Sequence, residues 1–134
     1  MKEKLIDVEL LLEQINEGLI AHLSFKNITS KSMYLEKQTI YFNNEVRNTY
    51  FEIFDKKGRE VDYTGIMAKR LILPEDFIEV NPMGQVKASV SLHEYYKIRK
   101  GNKYTIQYYA FNPGYMDLQQ LIEMQSNKVE ILYQ

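Results

Sequence analysis

Alternation of apolar and polar residues with a period of two constrains this chain more than any other feature. Val86, Ala88, Val90 and Leu92 alternate with Lys87, Ser89, Ser91 and His93. Successive side chains of a strand point to opposite faces, so this stretch reads as a strand with one buried and one solvated face. Ile6, Val8, Leu10 and Leu12 repeat the pattern, and so do Leu19, Ala21, Leu23 and Phe25 after a turn at Asn16-Glu17-Gly18. A strand, a turn and a second strand predict a hairpin at the N-terminus.

Turn chemistry divides the rest into short extended runs. Asn27 to Ser32 reads as a loop. Met33-Tyr34-Leu35 and Thr39 to Phe42 read as extended. Asp55-Lys56-Lys57-Gly58 reads as the turn of a hairpin between Tyr50–Phe54 and Arg59–Tyr63. Met67 to Leu73 reads as a strand, followed by turns at Pro74-Glu75-Asp76 and Asn81-Pro82-Met83-Gly84. Tyr104 to Phe111 and Lys128 to Tyr133 close the series. The expectation is an all-β chain, a single domain over 1–134. Its architecture is an immunoglobulin-like antiparallel β-sandwich of about seven to nine strands, with at most one short helix in the last interstrand loop. Tyr104 lies three residues after Gly101 at the start of a strand, the spacing of a tyrosine corner whose hydroxyl bonds back to upstream backbone.

Composition narrows the function classes. The 134 residues include no cysteine, so neither a disulfide framework nor a thiolate metal site is available. The formal net charge of −1, from 17 basic and 18 acidic residues, argues against nucleic acid, which needs a basic face. No run approaches the length of a membrane span, so no membrane partner is expected. Acidic residues interrupt the apolar stretch a signal peptide needs, so the chain as written reads as cytoplasmic, or as periplasmic or secreted if a leader has been removed. The two histidines, His22 and His93, fall on different predicted strands, and no metal or other cofactor is expected. No nucleophile elbow or clustered-glycine phosphate loop is present. The expectation is a domain without catalytic machinery.

The segment joining the last two predicted strands stands apart. Asn112 to Gln125 is long for a hairpin loop and rich in apolar residues. Asp117 can cap one or two helical turns that put Leu118, Leu121 and Ile122 on one side. Such a segment either closes one end of the sandwich as a lid or is displayed as a recognition loop. Pro113, Gly114, Tyr115, Met116, Leu118, Leu121, Ile122 and Met124 are therefore the candidate partner-binding residues. Three functions compete. One is a protein-binding domain, an inhibitor or immunity-type neutraliser of a partner enzyme such as a protease or toxin. The second is an assembly module that pairs through an edge strand with another chain or with itself. The third is a small-ligand binder or unrecognised enzyme built on the abundant tyrosines and carboxylates.

A further series of residues carries a resemblance. Phe51-Glu52-Ile53-Phe54-Asp55 leads to Gly58-x-Glu60-Val61-x-Tyr63-x-Gly65 and Lys69. Pro82-x-Gly84, Val86 to Leu92, Tyr95 or Tyr96, and Gly101-x-x-Tyr104-x-Ile106-x-Tyr108 follow, and Ser126-Asn127-x-Val129-x-Ile131 completes the series. Together they resemble the non-catalytic N-terminal β-sandwich domain that precedes the zinc domain in lysine-specific, deuterolysin-like metalloendopeptidases. The series is also similar to stand-alone immunoglobulin-like domains, among them intracellular proteinase inhibitors of bacilli. It spans residues 19 to 133. The resemblance implies the fold and an association with a protease. It implies no catalytic residue, because the zinc ligands of those peptidases lie in a following domain.

Overall fold

Strand β1 (Ile6–Ile15) and strand β2 (Gly18–Asn27) form a long hairpin, paired in register from Ile6↔Asn27 to Ile15↔Gly18. In this computed structural model, which describes residues 4–69 and 71–134 without the side chains of Leu118 and Gln119, the period-two pattern settles which face is buried. Ile6, Val8 and Leu10 turn inward with Leu19, Ala21, Leu23 and Phe25. The order of strands continues as β3 (Met33–Glu36), β4 (Phe51–Asp55), β5 (Phe77–Val80) and β6 (Gln85–Ser91). After the single turn of helix α1 (Leu92–Tyr95) come β7 (Asn102–Gly114), β8 (Asp117–Gln125) and β9 (Val129–Tyr133). β6 joins β2 on its free side, giving a sheet of order β1-β2-β6. Gly18 is required where β2 begins, because a β-carbon there would overlap the His93 ring. That ring comes from α1 and accepts the Leu19 N–H at Nδ1, 3.1 Å away.

The facing layer is organised by β7, the longest strand. Its first half pairs with β4 on one side and β9 on the other, and its second half pairs with β8. Tyr104, Ile106, Tyr108 and Ala110 alternate inward and meet the β1-β2-β6 sheet. Between the layers lies an aromatic cluster. The Phe25 and Tyr108 rings meet edge to face at 5.2 Å, and Tyr41 stacks on Phe51 at 5.6 Å. Each fully buried side chain of this size contributes about 1.5–3 kcal/mol by leaving water. The buried phenols are satisfied: Tyr108 donates to the Thr39 carbonyl, while Tyr41 donates to the Asn48 carbonyl and accepts the Tyr50 N–H. The chain is thus all-β and sandwich-like, with β3 and β5 forming a small separate sheet.

Three sheets leave three seams, and an asparagine carboxamide bridges each. Asn127, next to β9, accepts the Leu10 N–H at 2.8 Å and donates to the Leu10 carbonyl at 3.1 Å, reaching the free edge of β1. Asn112 of β7 accepts the Glu36 N–H at 2.8 Å and donates to the Tyr34 carbonyl at 3.1 Å, engaging β3 in the same way. Asn27 at the end of β2 donates to the Val80 carbonyl of β5 at 2.9 Å. A carboxamide carries one carbonyl and one N–H pair, so it substitutes for a peptide group where no strand is available. Ser126 completes the first seam, its hydroxyl accepting the Tyr108 N–H at 2.9 Å and donating to the Asn127 carbonyl. At the corner before β7, the Tyr104 hydroxyl accepts the Arg99 N–H at 2.8 Å and faces the Arg99 carbonyl at 3.4 Å. Gly101 turns that corner with φ of 91°.

Several expected runs are not ladders. Thr39 to Phe42 forms a turn, because Tyr41 sends its ring into the core from a left-handed backbone (φ 53°). Arg59 to Tyr63 does pair back on β4, through the bridge Phe54↔Glu60 and the Asp55 N–H to Arg59 and Val61 N–H to Ile53 bonds, but too briefly to form a strand. The described part of Met67 to Leu73 lies outside every strand and exposes Met67, Leu71 and Leu73.

Replacing Asn127 or Asn112 by aspartate removes the donor and points an acceptor at a carbonyl. Each change should lower stability by about 1–3 kcal/mol in urea unfolding, and wild-type midpoints would show that the seams do not depend on them. The tyrosines give a second expectation. Burial holds the Tyr41 and Tyr108 phenols well above the ordinary value of 10.0. Above that value the unfolded chain loses these protons while the folded chain keeps them, so stability falls as pH rises toward the folded values. Tyr108→Phe should flatten the alkaline limb of a stability–pH profile measured by denaturant titration.

Candidate interaction surface

The segment from Asn112 to Gln125 is neither a loop nor a helix. β7 runs on through Asn112, Pro113 and Gly114, turns at Tyr115-Met116, and returns as β8. Among the described residues the one α-helix is Leu92–Tyr95, so the short helix expected in this interval is corrected to a strand. Leu118, Leu121 and Ile122 suit a helix by spacing. Pairing with β7 supplies the hydrogen bonds that decide for a strand, and the Pro-Gly signal marks the hairpin tip rather than the end of β7. Pro113 is tolerated because it stands opposite Leu121 at a position where the β7–β8 ladder asks for no N–H. Gly114 is required, since a β-carbon would sit 2.5 Å from the Asp117 carbonyl oxygen. Met116 adopts φ of 65° at the second turn position, a conformation that favours glycine or asparagine.

A strand sends neighbouring residues to opposite faces, and this divides the expected patch. Met124 is fully buried, Ile122 is half-buried against the core, and Pro113 and Gly114 are buried. These four belong to packing rather than to a free surface. Tyr115 leans on the β3–β5 sheet, stacked on Tyr34 at 4.2 Å and edge-on to Phe77 at 5.3 Å. Met116 and Leu121 project outward, 74% and 58% exposed. The Leu118 side chain lies outside the described residues. The exposed Phe111 belongs to the same hairpin, opposite Glu123, and the sequence reading missed it because it ended β7 there.

The backbone adds what side-chain patterns do not show. Ser126 N–H donates to the Tyr108 carbonyl, and Tyr109 N–H donates to the Tyr50 carbonyl on the β4 side. Antiparallel ladders alternate, so Ile122 and Met124 direct their N–H and C=O groups at β7, while Leu121, Glu123 and Gln125 direct theirs away from it. β8 ends its sheet, and among the described residues β7 is its one ladder partner. Beside this edge lies a groove of about 880 Å³, with Leu5, Asp7 and Glu9 on the β1 wall and Leu121, Glu123 and Gln125 on the β8 wall. Just past the end of β8, Ser126 forms a parallel bridge with Val8, which turns the Gln125 end of this edge toward β1. Lys4 pairs with Asp7 at 3.2 Å. Glu123 accepts the Tyr109 hydroxyl at 2.8 Å, and that hydrogen bond is the main reason the Tyr109 phenol is raised.

Two other polar arrangements bring ionisable side chains together. On the outer face of the β1-β2-β6 sheet, His22 lies between Ser89 (2.8 Å from Nδ1) and Glu13 (2.7 Å from Nε2). The order hydroxyl, imidazole, carboxylate is that of a nucleophile with its base. Here, however, the Ser89 N–H donates to Asn44 Oδ1, so that donor is not available to a developing oxyanion. The three side chains link β1, β2 and β6 across the sheet face. Glu36 is a buried acid that the sequence reading did not single out, and it accepts the Thr39 hydroxyl and the Gln38 N–H, both at 2.8 Å. Among the described residues no three metal-ligating side chains come together, and no helix is long and apolar enough to cross a membrane. No protein-family model matches the chain, and no curated protein matches its sequence.

The two faces of β8 should separate in a stability assay. Leu121→Lys should stay within about 0.5 kcal/mol of the parent chain, whereas Met124→Ala should lose about 2–5 kcal/mol. Met116→Gly should gain about 0.5–1 kcal/mol by relieving the left-handed turn. Equal losses at 121 and 124, read from urea midpoints, would show that β8 has no free face.

Proposed function

We propose that this chain is a non-catalytic protein-binding domain that captures an extended segment of its partner along the β8 edge. The observation that carries the reading is the pair of outward peptide groups at Leu121 and Glu123 beside an open groove. Strand addition uses main-chain hydrogen bonds for affinity and flanking side chains for selection. Leu121 and Phe111 offer apolar contact on the outer face. Glu9 and Glu123 give the groove walls acidic positions that favour a segment bearing cations. The role that fits such a binder is an inhibitor or immunity-type neutraliser of a partner enzyme. The resemblance to non-catalytic sandwich domains and to proteinase inhibitors supports the same role.

Proline at position 123 tests the edge directly. The Glu123 N–H faces away from β7, so Glu123→Pro removes a donor from the outer edge and none from the β7–β8 ladder. Wild-type chain, Glu123→Pro and the control Leu11→Lys, on the exposed face of β1, would each be used for affinity capture from the native host. Proteins retained by the wild type and the control should be lost from the proline variant, while circular dichroism shows all three folded. Retention unchanged by the proline, or no retention by the wild type, refutes the reading.

A further inference from the structure

We infer that the captured segment enters between β1 and β8, pairs with both, and alternates apolar with basic residues. The inference rests on the reading of β8 as a capture edge and adds a second edge and a sequence pattern to it. β1 presents peptide groups to the same groove. The Leu10 N–H and carbonyl turn away from β2 to meet Asn127. Alternation along the antiparallel β1–β2 ladder turns those of Val8 and Ile6 the same way. Val8 is engaged at the Ser126 bridge, whereas Ile6 borders the groove that Leu121 and Glu123 border from the other side. The two strands are parallel at that bridge, so a segment antiparallel to one is antiparallel to the other. The bridge also closes one end of the groove, so a segment seated on Glu123 covers the Ile6 peptide group as well. A covered peptide group left unpaired costs as much as a lost hydrogen bond, which favours a segment that bonds to both walls. From Leu121 to Ser126 the chain advances about 17 Å, the span of a segment of about five residues.

Side chains on the two walls fall into two rows. Ile6 and Val8 are buried on the core side, and Ile122 is half-buried there. Asp7, Glu9, Leu121 and Glu123 take the solvent side. An inserted strand sends alternate side chains to these rows. Those on the core side lose water beside aliphatic neighbours, which selects apolar residues. Those on the solvent side meet carboxylates. Lys4 offsets Asp7, which leaves Glu9 and Glu123 to attract lysine or arginine. The fitting partner is an amphipathic strand with its basic residues on one face, rather than a basic stretch or an apolar one.

Short synthetic peptides test both parts against the full chain. The probes are a capped pentapeptide alternating lysine and valine, and an isomer with three lysines followed by two valines. In nuclear magnetic resonance titrations of the isotope-labelled chain, the alternating peptide should shift the Ile6 and Glu123 amide signals together. It should bind at least tenfold tighter than its isomer. Glu9→Lys should weaken it at least threefold, while Glu75→Lys, the same charge change outside the groove walls, should not. Equal affinity for the two peptides, a shift at Glu123 without one at Ile6, or no shift at millimolar peptide overturns the inference. Any of these together with loss of host-partner capture in Glu123→Pro leaves the β8 reading standing. Paired shifts at Ile6 and Glu123 with capture unaffected by the proline would keep the two-walled peptide site and remove β8 as the edge that holds the host partner.

Discussion

Side-chain amides hold this sandwich together where its strands cannot. β1 faces the second layer with an edge that no strand covers along its length, and at Leu10 the Asn127 carboxamide takes the place of a neighbouring peptide. Asn112 does the same for β3, and Asn27 ties β2 to β5. A buried peptide group left unpaired costs as much as a lost hydrogen bond, so separate sheets can share one core only if such surrogates exist. The rest follows from this arrangement. β7 can change partners halfway because Ser126 and Asn127 absorb the break between β8 and β9. β8 is thereby left at the end of its sheet, with the outer peptide groups of Leu121 and Glu123 facing the groove.

The tyrosines explain why the core tolerates this patchwork. Tyr41 and Tyr108 fill the space between layers as aromatic mass, while their hydroxyls reach carbonyls of the irregular stretch from Thr39 to Asn48. Phenylalanine would fill the same space and leave those carbonyls unpaired. A core rich in tyrosine can therefore hold non-ladder backbone that an aliphatic core would reject.

How much of this was legible depended on whether the deciding partner was near in sequence. The β1–β2 hairpin and β6 could be read from alternation alone, because one buried face fixes both period and register. The Tyr104 corner was legible from its spacing to Gly101. β8 was not: Leu118, Leu121 and Ile122 satisfy a helical period, and only the ladder to β7 selects the strand. Once it is a strand, Leu121 faces out and Met124 faces in, which reverses the role assigned to Met124. That β8 lies at an edge depends on the order of the whole sheet. The contact of His22 with Glu13 and Ser89 likewise appears only when β1, β2 and β6 are aligned.

The carboxamides at the seams also bear on the lifetime of the folded chain. Asparagine is among the thermolabile residues that proteins of hot environments use sparingly. Here it occupies the three joints between sheets, where hydrolysis of one amide turns a donor into an acceptor. Asn27 and Asn112 are buried, and Asn112 is followed by a proline that has no N–H to attack its amide, so of the three joints the exposed Asn127 between β1 and β9 is the one most open to hydrolysis.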